Sequence, residues 1–410
     1  MVGVEPLRFA PLIAGCGHLL RLLRTQGPRT ISELAALVEV SRSTIIQRLE
    51  FLLDAKLVIG NVAPANGRGR PAEVFHFNPA AGLVLAVQVG LSGCRVAVTD
   101  LKGGVLADDF VLVDFARGPT VLLESLIKSF DAMVASLPIG RHEIVGVGVG
   151  MPSAVELQNY ARSLGLGALG WDRDRFRIVL RDHYSAPVFL DLDVNLLARA
   201  EWGASWSSVE VCVCVKLGTL IHAAILVNGE PVRGAGGLAG ELGHIKVSGA
   251  STVCSCGGIG CLNSVASGDA LVRELRASGV DVTHVSEVVT LANRGDPVAV
   301  QAVREAGRRI GEALSSVVNL LNPSVIVAWG YLVDQETSLF AGIREGLYQN
   351  ALPGSGNDVR LVTAALGVLA GAKGAARLVL HEVLGDEAVD RMLLTKSWLA
   401  AAPAPDGVSS

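Results

Sequence analysis

Two kinds of hydrophobic spacing follow one another along this chain, and the change between them separates a small domain from a larger body. Between about Pro11 and Asn78, apolar residues recur at helical intervals in three segments, which precede a short hairpin rich in Gly, Arg and Pro. Runs rich in Val and Leu then predict successive strands at 82–91, 94–100 and 105–115. The pattern therefore predicts a helical domain over 1–78, followed by a body that contains a sheet.

The larger body repeats one order of elements twice. A predicted helix near 119–136 interrupts the strands, and further helices precede the last two of them. The remaining predicted strands are 143–150, 187–193, 209–218, 221–232, 323–330 and 359–367. Three strands followed by alternating helices and strands are typical of the α/β class. The small, polar and Pro-containing end of the chain predicts a disordered tail at 396–410.

The helical domain has the pattern of a helix-turn-helix. Thr30 precedes an apolar helix with Glu33 at capping-box spacing, and Ser41 begins a second helix after a turn at Val40. Leu37 is expected on the buried face of the first of these helices. The outward face of the second helix carries polar residues that can contact base edges or phosphates in a major groove: Arg42, Ser43, Thr44, Gln47 and Arg48.

A hairpin tipped with arginine follows these helices. Arg68 and Arg70 alternate with glycine, and a slim backbone that carries two guanidinium groups suits a narrow minor groove. A solvated loop would explain the arginines alone, and ordinary packing would explain a lone helix pair. Three helices followed by this hairpin predict a winged helix-turn-helix that binds double-stranded operator DNA.

Composition and charge are consistent with this division. Half of the 410 residues are hydrophobic and 18% are charged, which excludes a disordered chain. No apolar run reaches the roughly 18 residues of a membrane span, and the N-terminus lacks the pattern of a signal peptide, so we expect a cytoplasmic protein without membrane contact. Residues 1–80 carry nine Lys/Arg against six Asp/Glu, although the whole chain has a net charge of −4. A basic end suits nucleic acid.

Three of the seven cysteines lie close together in the second half of the chain. With one histidine they form a potential set of four zinc ligands: His244, Cys254, Cys256 and Cys261. A closed set of four ligands leaves no position for water, so the predicted zinc is structural. Buried free thiols or a redox pair are the alternatives. The other cysteines are expected to be small core residues: Cys16, Cys94, Cys212 and Cys214.

Together these residues resemble the ROK family of bacterial repressors, open reading frames and sugar kinases, from about residue 12 to residue 380. The specific marks are the Gly-Glu-Leu-Gly-His segment 240–244, the cysteine run 254–261, the segment 193–195 and the preceding winged helix, which is typical of the repressor branch. The resemblance implies an actin-like (sugar-kinase/ribonuclease-H-like) fold with lobes at 79–195 and 196–395 and a sugar in the cleft. The implied sugar contacts are Asp193, Asn195, Glu241 and His244, of which we favour His244 as a zinc ligand.

The chain departs from the kinase branch at all three nucleotide-binding turns. Gln88 stands where a kinase-like first turn would have Asp, and residues 220–224 of the second turn have lost three glycines. Trp329 replaces a glycine on the adenosine side. Phosphoryl transfer depends on positioning and on neutralisation of charge, so these changes predict a protein that is not an enzyme. Asp193, at the position of the family's catalytic base, would then only accept hydrogen bonds from ligand or cap the following helix.

Two further departures affect the implied sugar site. Leu192 replaces the Asn that usually precedes the Asp, and Asn263 replaces the usual Glu after Cys-Leu. A sugar hydroxyl that faces Leu192 would lack a partner, so we expect a ligand other than a hexose in the usual pose, or low affinity.

The combined prediction is a sugar-controlled transcriptional repressor that acts as a homodimer or a dimer of dimers. An ATP-dependent sugar kinase with an appended DNA-binding domain is one alternative, and a ligand-independent, zinc-stabilised DNA-binding protein is another.

Overall fold

The computed structural model describes most of the chain. The described residues are 12–62, 73–91, 93–112, 117–137, 143–153, 173–354 and 358–401. None of the helices within them is long and apolar enough to cross a membrane.

The N-terminal module has three helices and a small antiparallel sheet in the order β1-β3-β2. Its elements are α1 (Cys16–Gln26), β1 (Arg29–Thr30), α2 (Ile31–Val38), α3 (Arg42–Asp54), β2 (Val58–Val62) and β3 (Glu73–Phe77). The predicted caps are confirmed, since the Thr30 hydroxyl accepts from the Glu33 amide at 3.3 Å and the Ser41 hydroxyl accepts from the Thr44 amide at 3.2 Å. The prediction for Leu37 was wrong, because its side chain is 49% exposed. Leu37 and Val38 flank the buried Leu34 on either side of the helix surface. Only Val38 packs against the core.

The first lobe is built on a five-stranded sheet in the order β6-β5-β4-β7-β8. Strand β5 pairs antiparallel with both β4 and β6, and β7 and β8 continue the sheet in parallel from β4. Its elements are β4 (Leu83–Val89), β5 (Gly93–Thr99), β6 (Val105–Leu112), α4 (Gly118–Ser136), β7 (Ile144–Met151), α5 (Arg173–Tyr184), β8 (Val188–Leu192) and α6 (Asp193–Glu201). Val and Leu make up most of β4, which is buried on both faces, and the valines of β5 are buried beside it.

The second lobe repeats that topology in the order β11-β10-β9-β12-β13. Its strands are β9 (Val211–Leu217), β10 (Ile221–Val227), β11 (Glu230–Pro231), β12 (Val325–Trp329) and β13 (Arg360–Thr363). Its helices are α7 (Leu262–Ala266), α8 (Gly268–Ala277), α9 (Val285–Asn293), α10 (Pro297–Leu321) and α11 (Glu336–Asn350). The α/β class and the repeated order of strands predicted from the sequence are confirmed.

Two final helices, α12 (Ala370–Val383) and α13 (Asp386–Thr395), return the chain from the second lobe to the first lobe and the N-terminal module. Gly374 lets α12 approach α6 closely, because a Cβ at that position would overlap the Leu196 carbonyl oxygen. One apolar core then extends from the module into the first lobe and includes Leu20 of α1, Met392 of α13 and Trp398.

The joint between the module and α13 is also polar. The carboxylate of Asp390 accepts hydrogen bonds from the backbone amides of Gly15 and Gly17, each at 2.8 Å. Gly17 has no side chain where the two helices meet, and a Cβ there would overlap the backbone of Asp386. The start of α1 is therefore held against α13 by a carboxylate and by close backbone packing.

Candidate DNA-reading helix, ligand cleft and metal centre

Helix α3 presents most of the predicted DNA-reading residues to solvent. Arg42, Ser43 and Gln47 are exposed, and Thr44 is half-buried. The hydroxyls of Ser43 and Thr44 each lie 2.8 Å from the Ser41 hydroxyl, so both side chains are held near the start of the helix. The opposite face is anchored by buried apolar residues, namely Ile45, Leu49 and Leu52.

The structure adds Ile46 to the exposed surface of α3, whereas Arg48 is less exposed than the other predicted DNA-reading residues. Ile46 is 43% exposed beside Gln47, and an exposed apolar side chain can contact a thymine methyl group. Ile46 was not among the predicted DNA-reading residues, which are all polar. Arg48 is half-buried, and its guanidinium group lies against Gly15 at the start of α1. The predicted wing residues Arg68 and Arg70 lie outside the described residues.

The four predicted metal ligands converge. One ligand atom from each of the four residues, His244, Cys254, Cys256 and Cys261, lies within 4.8 Å of all the others. The Cys256 and Cys261 sulfurs are 3.7 Å apart, and His244 Nδ1 lies 3.9 Å from the Cys254 sulfur. A zinc–sulfur distance of about 2.3 Å in a tetrahedron requires sulfurs about 3.8 Å apart. The donor set and its spacing therefore fit a tetrahedral zinc ion.

The backbone around the cysteines folds into a tight turn. Gly257 and Gly260 adopt left-handed conformations with φ of 85° and 72°, as such turns require. The Gly258 amide donates to the Cys256 sulfur at 3.4 Å. Burial acts to raise the pKa of Cys256, but this amide and the neighbouring thiols hold the pKa below its ordinary value. The turn thus favours the thiolate form of Cys256, the form of a cysteine that binds a metal ion.

Lys246 is a further neighbour of the metal centre that the sequence analysis missed. Its ammonium group lies 3.0 Å from the Cys261 sulfur, and this hydrogen bond raises the pKa of the lysine. A cation beside three thiolates offsets part of their negative charge. The sequence offers no local pattern for this contact, because it depends on the bridge that pairs Lys246 with Cys261.

The implied ligand residues of the first lobe are already engaged with protein groups. Asp193 is fully buried, and its two oxygens accept from the Val194 amide at 2.8 Å and from the Lys216 ammonium group at 2.6 Å. Asn195 donates from its side-chain amide to Asp191 at 2.8 Å. Asp191 also accepts from Arg233 at 2.6 Å. Lys216 and Asp191 are thus parts of this site that the sequence analysis did not assign.

Glu241 lies in a separate polar group with two histidines. His222 Nε2 is 3.5 Å from one oxygen of Glu241, and His244 Nε2 is 3.8 Å from the other. Burial acts to raise the pKa of Glu241, but His222, His244 and Ser153 together hold the pKa below its ordinary value. His222 occupies one of the glycine positions lost from the second nucleotide turn, so its unusual place was visible in the sequence. Glu241 is therefore a carboxylate beside the candidate metal centre.

The two residues that depart from the family pattern have structural partners. Leu192 is buried among apolar residues between the lobes. Asn263 is also buried, and its side-chain oxygen accepts from the Ile221 amide at 2.7 Å while its nitrogen donates to the Ile221 carbonyl at 3.5 Å. Asn263 thus fixes strand β10.

Comparison with known proteins agrees with this architecture. The sequence profile of the ROK family matches residues 84–382, and that of bacterial regulatory proteins of the arsR family matches residues 18–59. The xylose repressor of Bacillus spizizenii is 23% identical over 368 residues, which cover 89% of this chain and 94% of the repressor. A glucokinase of Streptomyces coelicolor is 29% identical over 320 residues, which cover 72% of this chain and 97% of the glucokinase.

A solved structure shares the whole fold. The crystal structure of a ROK family transcriptional regulator, a homolog of the Escherichia coli MLC protein, superimposes with a TM-score of 0.75 at 24% identity. The match covers 95% of this chain and 100% of that chain. The module, the two lobes and their order are therefore those of that structure.

Proposed function

This chain belongs to the ROK family, and from that membership we propose that it is a DNA-binding transcriptional repressor controlled by a sugar or sugar-derived ligand. The observation that carries the proposal is the docking of a winged helix-turn-helix module, with the exposed polar face of α3, onto a two-lobed ROK body. Most of the chain matches ROK relatives that include xylose repressors, and the helices of the module match regulatory proteins.

DNA binding rests on the start of α3. Arg42 suits guanine or phosphate, Gln47 suits adenine, and the hydroxyls of Ser43 and Thr44 suit either a base or a phosphate. Arg48 would have to leave Gly15 to reach DNA. Arg68 and Arg70 of the predicted wing would add minor-groove contacts. A homodimer would set two such helices on half-sites about one helical turn apart, and we place its action in the cytoplasm.

We further propose that the body has lost phosphoryl transfer. A catalytic base must be free to accept a proton from the sugar hydroxyl, whereas Asp193 is buried and paired with Lys216. Gln88 replaces the carboxylate of the first phosphate turn. The cleft would then serve for recognition, with Asn195 and Glu241 as candidate contacts to a sugar. His244 would hold structural zinc with the three cysteines.

A physical path connects the cleft to the module. Strand β13 of the second lobe leads into residues 364–369, where Glu201 accepts from the Ala365 and Leu366 amides at 2.9 and 2.7 Å. Helix α12 follows directly, packs on α6, and leads to α13, which holds the start of α1 through Asp390. A ligand that closes the lobes would displace residues 364–369, α12 and α13. This displacement would shift the balance between arrangements of the module that bind the operator and arrangements that do not.

The test begins with the selection of bound fragments from genomic DNA by the purified full-length protein. Affinity for the selected sequence is then measured for Gln47→Ala and for Arg304→Ala, an exposed arginine of the second lobe that serves as the control. Loss of one good base contact costs about 1–3 kcal/mol, so Gln47→Ala alone should weaken binding by about five- to 150-fold. Failure to select any sequence would refute DNA binding.

The sensor part is tested on the same DNA. A panel of pentoses, hexoses and N-acetylhexosamines should contain a compound that lowers operator affinity. Equal affinity with every sugar would favour a ligand-independent DNA-binding protein instead. ATP consumption with any sugar of the panel, in a coupled assay, would refute the loss of kinase activity.

A further inference from the structure

One apolar side chain lies in the middle of the exposed face of α3. The side chain of Ile46 is 43% exposed. It follows Arg42 by four positions and Ser43 by three, and residues at these spacings are neighbours on a helix surface. Gln47 comes directly after it, and these polar neighbours are all exposed. Every residue of α3 is described, and Ile46 is the only apolar one among them that is exposed.

The fold of the module does not require an isoleucine at this position. The buried face of α3 is formed by Ile45, Leu49 and Leu52. Glu50, one turn after Ile46, is exposed as well. Branching at Cβ makes isoleucine a poorer helix former than Arg, Gln or Glu, so helix stability does not favour it on an exposed face. A contact outside the chain would give this side chain the burial that the module does not.

The flanking side chains indicate the chemistry of such a contact. Arg42 suits guanine or phosphate, Gln47 suits adenine, and the hydroxyl of Ser43 suits a base or a phosphate. The C5 methyl of thymine is the apolar group that a base pair presents in the major groove. Ile46 is therefore placed to contact a methyl group while its neighbours contact polar edges.

A second protein chain is a poorer match for this surface. The centre of a protein–protein interface is depleted of charged residues and holds a cluster of large buried side chains. Along α3, Ile46 instead has Arg42 one turn before it and Glu50 one turn after it. One isoleucine among polar and charged residues fits a base edge better than it fits the core of a protein interface.

We propose that Ile46 selects thymine at one position of the operator by contact with its C5 methyl group, next to the base that Gln47 contacts. The methyl group and the isoleucine remove each other from water, and cytosine cannot replace thymine here because it lacks the methyl group. This inference rests on the proposed DNA binding. It adds to that function a preference for thymine that hydrogen bonds from α3 do not supply.

Deoxyuridine in the DNA tests this contact directly. It differs from thymidine only by the absence of the C5 methyl group, so the base pair and its hydrogen-bonding groups are kept. The thymines of the sequence selected by the full-length protein are replaced one at a time. Affinity is measured at one fixed salt concentration, because phosphate contacts depend on salt. We expect one position, or its counterpart in a second half-site, at which the replacement weakens binding about fourfold, as for one buried methyl group.

The variant Ile46→Ala removes the protein partner of that methyl group. Alanine is a better helix former than isoleucine, so α3 should persist, which a melting curve checks. The variant should bind the thymine duplex about fourfold more weakly than the parent protein does, and it should bind the deoxyuridine duplex equally well. Ile178→Ala changes a 49% exposed isoleucine of α5 in the first lobe and is the matched control, which should keep the preference for thymine.

Three results would overturn the proposal. The first is that no single deoxyuridine weakens binding. The second is that the preference for thymine persists in Ile46→Ala, which would assign the methyl contact to another residue. The third is that Ile46→Ala weakens binding to both duplexes equally, as for a residue that contacts another protein chain. If the protein selects no sequence at all, DNA binding and this contact fail together, whereas each of the three results leaves DNA binding standing.

Discussion

Replacement of Asp390 by Asn tests whether the body holds the DNA-binding module through one carboxylate. Asp390 accepts from the Gly15 and Gly17 amides at 2.8 Å each, at the positive end of α1. The Asn side chain has nearly the same shape, but it replaces one acceptor oxygen with a nitrogen that itself donates. One hydrogen bond is lost, and the other is then accepted by a neutral amide oxygen instead of a carboxylate.

The magnitude follows from the kind of bond. A hydrogen bond to a charged group contributes about 1.5–3 kcal/mol. Asp390→Asn should therefore weaken the contact between α1 and α13 by about 3 kcal/mol, which is roughly a hundredfold in its equilibrium constant. The neighbouring ion pair between Arg21 and Asp386 is largely exposed and contributes at most about 1 kcal/mol. It cannot replace the lost contact. The shared apolar core should keep the module folded.

Amide hydrogen exchange on the full-length protein measures the effect locally. Protection should fall in α1 and α13 and remain unchanged in α10 of the second lobe. Asp269→Asn, which breaks an exposed ion pair on α8, is the matched control. The variant Gly17→Ala should loosen the same joint by a different route, because its Cβ overlaps the backbone of Asp386.

Two outcomes would refute this reasoning. Unchanged protection in α1 would mean that the carboxylate does not hold the module. An equal loss of protection in α10 would mean that the variant destabilises the whole chain. Where an effector sugar has been identified, Asp390→Asn should also reduce the change in operator affinity that the sugar causes, with the sugar affinity unchanged.

Four further predictions follow from the site and the fold. A chelator should release about one zinc ion per chain and lower the melting temperature, and Cys256→Ser should reduce the bound zinc measured by mass spectrometry. Burial raises the pKa of Cys94 to about 12, so this thiol should react with iodoacetamide at pH 8 only after unfolding. Hydrogen bonds from Thr30 lower the pKa of Glu33 from its ordinary value of 4.5, so the carboxylate stabilises the fold above that pH. Glu33→Gln should therefore have a lower melting temperature than the parent protein at pH 7. The difference in melting temperature should disappear as the pH falls below 4.5. Gly374→Ala should force α12 away from α6 and lower the free energy of unfolding by about 2 kcal/mol or more in a denaturant titration.

Local features of the molecule could be predicted from the sequence because their determinants are close together in the chain. The caps at Thr30 and Ser41 depend on residues three positions away. The four potential metal ligands come from 18 consecutive residues, 244–261, with glycines that permit the turn. The repeated order of strands follows from runs of β-branched residues.

Contacts between distant segments could not be predicted in this way. The ion pair of Lys216 with Asp193 joins two lobes, and nothing adjacent to either residue indicates it. Arg48 was assigned to the DNA-reading face from its helical position, whereas the fold brings Gly15 close enough for the guanidinium group to pack against it. Asp390 lies 375 positions from Gly15. Helical periodicity shows which side of one helix is apolar. It does not show which residues of a distant element contact that helix.

The shared core of the module and the last helices also has a consequence for biosynthesis. Ribosomes make the module first, yet part of its packing surface is supplied by Met392 and Trp398. At about 5–20 residues per second, the 375 residues between Gly15 and Asp390 require about 20 to 75 seconds of translation. During that interval part of the apolar side of α1 lacks its native cover. The capacity to recognise an operator should therefore mature only at the end of synthesis, together with the body that regulates it.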